Sequence, residues 1–145
     1  MATIPDYTQA PYKMDYPIEA INSYLNRING FVRAGAFHVL ESDPDDPLSS
    51  RDKNAAFRAI YGLYTKQAAR QLLLSIDASE FCHTKQTEDG RLLYVFCIDR
   101  VLYKAGFGDE TVRIYVKHDC QPNGSRDVVI SLHELEAPIV RAYES

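Results

Sequence analysis

The apolar residues in the first half of the chain recur at intervals of three and four, which is the spacing of one face of an α-helix. The first run comprises Ile18, Ile21, Leu25, Ile28 and Val32. We expect Asp15 to cap this helix, Pro17 to occupy its first turn and Gly35 to end it. Residues 1–14 hold two prolines and no such spacing, so they predict an extended N-terminal arm or a loosely held tail.

Two more helices are predicted after an acidic, proline-bearing surface loop with the sequence ESDPDDPLSSRD. The second helix is expected to begin at about Ser50. The third is expected after Thr65, whose hydroxyl can cap it, and Gly62 separates the two. Residues 15–78 are therefore predicted to be mainly helical.

From about residue 80 the pattern changes to an alternation of apolar and polar side chains, which predicts β-strands. The predicted strands are EFCHTKQT, RLLYVFCI, a short VLYK, TVRIYVK and DVVISLHE. Asp89-Gly90 marks a turn, and Gly106-Phe107-Gly108 is also predicted as a turn because it lacks the third glycine of a nucleotide-binding loop. Helices followed by strands predict an α+β fold, in which the N-terminal helices pack on one face of a C-terminal antiparallel β-sheet of about four strands.

The last two predicted strands separate their apolar and polar side chains in only one register. A connection formed by Asn123 and Gly124 alone leaves both faces mixed, whereas a three-residue Asn-Gly-Ser connection sorts them. The pairs that it predicts are Val116 with Leu132, Lys117 with Ser131 and Tyr115 with His133. Burial favours this register, because apolar side chains left in water forfeit roughly 25 cal/mol per Å². The core face then carries Val112, Ile114, Val116, Val128, Ile130 and Leu132, and the opposite face carries Arg113, Tyr115, Lys117, Ser131 and His133.

The polar face has two interpretations. It can be the solvated side of a half-covered sheet. Alternatively, it can bind a phosphodiester, with Lys and Arg neutralising the phosphate, His133 acting as acid or base and Tyr115 donating a hydrogen bond or proton. Cleavage of RNA by its own 2′-hydroxyl needs no further group. His83 near a strand start can reach the same face, or it can be an ordinary surface histidine.

Composition bounds the class of protein. The 145 residues, 46% hydrophobic and 25% charged, predict one globular domain over residues 1–145, with 80–135 mainly β. The net charge of −4 argues against a strong nonspecific grip on nucleic acid. No apolar run approaches the roughly 20 residues of a membrane helix, and the N-terminus lacks the features of a signal peptide. No membrane association and a cytoplasmic location are therefore expected.

The cysteines Cys82, Cys97 and Cys120 are odd in number and widely spaced, which suits reduced thiols better than a disulfide framework. Two pairs, Cys82-His83 and His118-x-Cys120, lack the spacing of zinc ligands. No metal and no cofactor are expected.

Three blocks carry a family resemblance: AIYGLYTKQAARQLL, VRIYVKHD and DVVISLHE. Together they resemble the MqsR-like mRNA interferase toxins of bacterial toxin–antitoxin pairs, which belong to the RelE-like ribonuclease group. The resemblance implies that Tyr115 and Lys117 lie in the catalytic strand, that His133 is the basic residue of the last strand and that Arg70 serves from the preceding helix. It also implies RNA as substrate and a cognate antitoxin protein as partner.

Two functions follow as hypotheses. The first is a metal-independent endoribonuclease, an mRNA interferase-like toxin that cleaves single-stranded RNA by attack of the 2′-hydroxyl. The second is a non-enzymatic protein-binding module, such as a phage or bacterial inhibitor, that uses an acidic, tyrosine-bearing surface. The candidate catalytic residues are Tyr115, Lys117, His133 and Arg70, and the candidate substrate-binding residues are Arg113, Ser131 and His83. The sequence leaves the oligomeric state open.

Overall fold

Three α-helices and one five-stranded sheet make up the part of the chain that the computed structural model describes, residues 16–42 and 52–143. The helices are α1 (Ile18–Arg33), α2 (Lys53–Ile60) and α3 (Lys66–Leu74), and the strands are β1 (Phe37–Val39), β2 (Phe81–Gln86), β3 (Leu92–Lys104), β4 (Gly108–Asp119) and β5 (Asp127–Glu134). Across the sheet the strand order is β1-β5-β4-β3-β2. The predicted α+β class is confirmed.

The sheet differs from the prediction in strand number and in one pairing. It has five strands where about four were expected, and the additional edge strand β1 runs parallel to β5. With three residues, β1 is too short to show a period-two pattern, and it lies in the segment predicted to be mainly helical. The predicted short strand VLYK is the continuation of β3. The N-terminal arm, Asp15 and Ser50 fall outside the described residues.

Local chemistry marks the ends of α1 and the start of α3. Pro17 precedes the first residue of α1, and Gly35 just beyond that helix has φ +76°, a left-handed conformation that glycine adopts without strain. Thr65 caps α3 as predicted, because its Oγ1 accepts a hydrogen bond from the Ala68 N–H at 3.1 Å. The buried stripes of the helices pack on one face of the sheet and form the main core.

The predicted register of the β4–β5 pair is confirmed near its centre. Val116 lies opposite Leu132, and the two polar pairs described above also form. A bulge then inserts Ile130 as an extra residue, so His118 pairs with Val129. The prediction that Val128 and Ile130 share the core face with Leu132 is therefore wrong, since Val129 joins the main core instead. The connection between the two strands, from 120 to 126, is longer than the predicted three residues.

A buried asparagine occupies the sheet edge next to this bulge. Strand β1 ends at Val39, and no other strand of residues 16–42 and 52–143 pairs with the β5 backbone beyond it on that side. The Asn54 amide of α2 takes that place, donating to the carbonyl oxygens of Leu40 and Ile130 at 2.8 and 2.9 Å and accepting from the Leu132 N–H at 2.9 Å. Asn54 is fully buried, and its side chain connects α2 to the sheet.

Residues 135–143 cross the sheet face that the helices leave uncovered. The segment leaves β5 through a hydrogen bond from the Leu135 N–H to the Arg113 carbonyl oxygen at 2.9 Å. It reaches β2 through a bond from the Ala142 N–H to the Phe81 carbonyl oxygen at 2.8 Å. In between, Ile139 packs on a small cluster of buried side chains. This crossing segment, as we call it, covers part of the face on which the polar residues lie.

Candidate functional site

Six of the seven predicted site residues share the sheet face opposite the helices. Strand pairing arranges them in rows across the sheet. The rows are His83, Val95, Lys117 and Ser131; then Cys97, Tyr115 and His133; then Asp99 and Arg113. Alternation along β4 and the register of the β4–β5 pair therefore gather the polar side chains as predicted.

Tyr115 and His133 form the accessible pair of this face. Their rings stack with centroids 5.5 Å apart and planes inclined by 22°, and both side chains are partly exposed. The Nδ1 atom of His133 lies 2.9 Å from the carbonyl oxygen of Glu134. Because a carbonyl oxygen only accepts, Nδ1 must carry the proton of a neutral ring, and Nε2 is then the nitrogen that can accept one.

Lys117, Ser131 and His83 are buried on the same face. Lys117 is 2% exposed, Ser131 is 1% exposed and His83 is 9% exposed. A buried ammonium group does not meet a phosphate in solvent. The expectation that Lys117 grips the phosphate directly therefore does not fit this conformation, although its charge still acts on its neighbours through a weakly screened interior.

Arg113 is an exposed cation of the face, and a carboxylate holds it in place. Its Nε and Nη2 atoms donate to the two oxygens of Asp99 at 2.8 and 2.9 Å, a bidentate pair. Arg141 of the crossing segment donates to the same carboxylate at 3.2 Å. The hydrogen bond from Arg113, together with the charges of both arginines, holds the pKa of Asp99 below its ordinary value. Asp99 is thus ionised and orients both guanidinium groups.

Arg70, the fourth candidate catalytic residue, is not on this face. It lies on α3, which buries Ala69, Leu72 and Leu73 in the main core on the other side of the sheet. The Arg70 guanidinium donates to Gln67 at 2.9 Å and lies beside Gly35. The sheet separates Arg70 from Tyr115, so the structure does not bring the four residues into one site.

A surface pocket of about 330 Å³ lies next to His133. Two cations, Lys53 and Lys104, line it, and so does Tyr61, whose hydroxyl donates to Glu110 at 2.9 Å. Burial, with the added effect of Glu110, raises the pKa of Tyr61 to about 12, so its hydroxyl stays protonated. Among the described residues the lining comprises Lys53, Ala56, Phe57, Ile60, Tyr61, Lys104, His133, Glu134, Leu135 and Glu136.

The sequence does not predict these pocket residues as a group, because they come from separate elements. Lys53 and Tyr61 belong to α2 or its end, Lys104 ends β3, and His133 belongs to β5. A bond from the Ala105 N–H to the Ile60 carbonyl oxygen at 3.1 Å brings the β3–β4 turn onto α2. No residue spacing in the sequence predicts this contact between the turn and α2.

His118, whose spacing from Cys120 does not predict a zinc site, has a buried carboxylate partner. It points to the helix side, where its Nδ1 lies 2.8 Å from an Asp127 carboxylate oxygen, and both side chains are buried. Cys120 is buried in the same core. Among the described residues no group of three or more His, Cys, Asp or Glu side chains is arranged to hold a metal ion.

Comparison of the chain with models of known protein families, with curated proteins and with solved structures found no match. Within residues 16–42 and 52–143, none of the helices has the length and apolar character needed to span a membrane.

Acid is expected to destabilise the protein through His83. Burial, with Lys85 and Lys117 nearby, lowers the pKa of His83 from 6.5 to about 4. The unfolded chain therefore binds a proton near pH 6.5 and the folded chain only near pH 4, so stability is complete above pH 6.5 and falls as the pH drops between these values. At 1.36 kcal/mol per pKa unit, the loss is at most about 3–4 kcal/mol.

Urea unfolding at pH 7 and pH 4.5 checks this expectation when wild type is compared with His83→Gln, whose side chain stays neutral at both values. The variant is expected to lose less stability on acidification than the wild type does. Equal losses would place the acid sensitivity elsewhere in the protein.

Proposed function

We propose that this chain is a metal-independent endoribonuclease that cleaves single-stranded RNA through attack of the RNA's own 2′-hydroxyl. The observation that supports it most directly is the stacked pair of Tyr115 and His133 at the accessible end of the polar sheet face. A proton acceptor and a hydroxyl donor stand side by side there, and the nucleophile comes from the substrate. That combination is sufficient for this reaction class.

In the proposed reaction His133 Nε2 removes the proton of the 2′-hydroxyl as its oxygen attacks phosphorus. The bond from phosphorus to the 5′-oxygen breaks, and the Tyr115 hydroxyl supplies the proton that the leaving oxygen needs. The products are a 2′,3′-cyclic phosphate and a 5′-hydroxyl, and a proton passing from His133 to Tyr115 restores the starting state. The bond from His133 Nδ1 to the Glu134 carbonyl oxygen keeps Nε2 in the accepting form.

The cations assigned to the phosphate differ from those predicted. Arg113 is exposed beside Tyr115, and Lys104 and Lys53 line the pocket next to His133. These three replace Lys117 and Arg70 as the groups that can reach a phosphate in solvent. Lys53 also pairs with Glu136 at 2.9 Å, so RNA must compete with that carboxylate. Lys117 contributes positive potential from beneath the face.

Purified protein is expected to cut a mixed-sequence RNA in the presence of excess EDTA and to leave 2′,3′-cyclic phosphate ends. The reason is that neither nucleophile nor proton transfer requires a metal. Mass spectrometry of the fragments identifies the ends. Fragments with 3′-hydroxyl ends, or cleavage abolished by EDTA, would rule out the proposed mechanism.

One observation favours the second candidate function, a protein-binding module. Three large apolar side chains stand exposed on the outer part of the β3–β4 hairpin: Val101 at 66%, Tyr103 at 63% and Phe107 at 80%. Exposed apolar clusters of this kind are typical of protein contacts. The cleavage experiment separates the two candidates. If wild type leaves all RNA intact, the binding module is the better account. If wild type cuts RNA, the exposed hairpin is the surface on which binding of a cognate antitoxin should be tested.

A further inference from the structure

Two of the three cysteines lie together beneath the crossing segment. Cys82 of β2 and Cys97 of β3 are both reduced and buried, at 0% and 1% exposure. With Val95 they form one contiguous cluster, distinct from the main core, and Tyr115, Leu135 and Ile139 pack against it. Cys120 is buried in the main core on the other face of the sheet. The chain thus has a thiol pair and one separate thiol.

A bulge in β2 creates the thiol pair. Phe81 pairs with Phe96, and His83 pairs with Val95, so Cys82 is an extra residue between two regular pairs. A bulge turns two consecutive side chains to the same face. The Cys82 thiol leans back toward the carbonyl oxygen of Glu80, at 3.7 Å. Because β2 and β3 are antiparallel and Phe81 pairs with Phe96, Glu80 lies opposite Cys97. A Cys82 side chain that leans toward Glu80 therefore lies next to the Cys97 thiol.

We propose that Cys82 and Cys97 are a redox-active dithiol that reacts with small-molecule disulfides of the glutathione type and closes to an intramolecular disulfide. The proposal is independent of RNA cleavage. It assigns a covalent modification to residues that the nuclease mechanism does not use.

The surroundings assign different roles to the two thiols. A hydrogen bond from Cys82, with the charges of Arg113 and Arg141, lowers the pKa of Cys97. The same contact and burial raise the pKa of Cys82. The Arg141 guanidinium, which donates to the Cys97 carbonyl oxygen at 2.9 Å, also lies beside this residue and favours its thiolate. We therefore assign the attack on the small-molecule disulfide to Cys97.

The exchange balances in two steps. The Cys97 thiolate attacks one sulfur of glutathione disulfide, the S–S bond breaks and one glutathione leaves as its thiolate. Cys82 then loses its proton to that thiolate and attacks the Cys97 sulfur, which releases the second glutathione. Two protein thiols are oxidised to one disulfide, and one small disulfide is reduced to two thiols.

The crossing segment controls access to the pair. Leu135 and Ile139 cover the thiols, and Arg141 fastens the segment by donating to the Cys97 carbonyl oxygen at 2.9 Å and to Asp99 at 3.2 Å. A disulfide of glutathione size reaches Cys97 only when this segment lifts. Reaction is therefore expected to follow local opening of residues 135–142 rather than global unfolding.

The test is to incubate the full folded chain with glutathione disulfide, quench it with acid, alkylate the remaining thiols and map the peptides by mass spectrometry. Wild type and Cys120→Ser are both expected to yield a peptide cross-linked between Cys82 and Cys97. Cys82→Ser is expected to stop at a glutathione adduct on Cys97. Arg141→Ala, which loses two hydrogen bonds of the segment, is expected to react about tenfold faster.

Recovery of Cys82 and Cys97 as separately alkylated peptides after prolonged incubation of wild type would overturn the proposal. A cross-link that involves Cys120 would do the same. Wild type and Cys120→Ser are sufficient for this decision should the other variants fold poorly, and circular dichroism before oxidation verifies the fold of each.

Discussion

Asn54→Ala is expected to lower the free energy of unfolding by about 3–5 kcal/mol, because each buried polar group left unpaired costs about 1–3 kcal/mol. The substitution orphans the carbonyl oxygens of Leu40 and Ile130 and the N–H of Leu132, all of which now bond to the Asn54 amide. In the part of the chain that the structure describes, no other strand lies at that edge to pair with these backbone groups. Urea unfolding of the purified variant measures the loss.

Two matched variants show whether the amide group is the cause. Asn54→Asp keeps an oxygen for the Leu132 N–H but places a carboxylate against two carbonyl oxygens, so it is expected to be at least as destabilising as alanine. Asn26→Ala makes the same change at an exposed position of α1 and is expected to shift stability by no more than about 0.5 kcal/mol. A loss at Asn54 no larger than that at Asn26 would contradict the assignment.

His133→Ala is expected to slow RNA cleavage by about 10²–10⁴-fold, the usual cost of losing one general acid or base. Tyr115→Phe is expected to slow cleavage by a similar factor. This variant keeps the ring that stacks on His133 and so tests the contribution of the hydroxyl alone. Single-turnover cleavage of a mixed-sequence RNA at matched folded concentration measures both. His38→Ala, at an exposed position of edge strand β1, serves as control and is expected to cleave like wild type. Unchanged rates in the first two variants would eliminate the proposed pair.

Local sequence patterns were sufficient to predict features that depend on a single helix or on a single pair of strands. The cap at Thr65 and the pairing of Tyr115 with His133 follow from hydrogen-bond chemistry and from the burial of one face, both of which are visible in the sequence. Alternation correctly placed Lys117 on the polar face. It could not reveal that Lys117 is buried there, because burial depends on how other parts of the chain pack and not on the strand alone.

Features that depend on distant segments were not predictable. Strand β1 exists through its pairing with β5, about ninety residues further along the chain. In the sequence Asn54 is an ordinary polar residue of a predicted helix. Its role depends on the backbone groups of β5 to which its amide bonds. Arg70 was placed by its helix block alone, and the helix packs on the wrong side of the sheet for that role. Each outcome was decided by tertiary packing, on which periodicity carries no information.

The crossing segment is synthesised after the strands that it covers. A ribosome makes the β2–β3 and β3–β4 hairpins before residues 135–143, so the sheet can pair while Val95, Cys82 and Cys97 still lack their cover. For that interval the nascent chain presents two thiols and an apolar strip that the finished molecule hides. Chaperones and oxidants therefore encounter a different surface on the growing chain from the one that the completed protein offers.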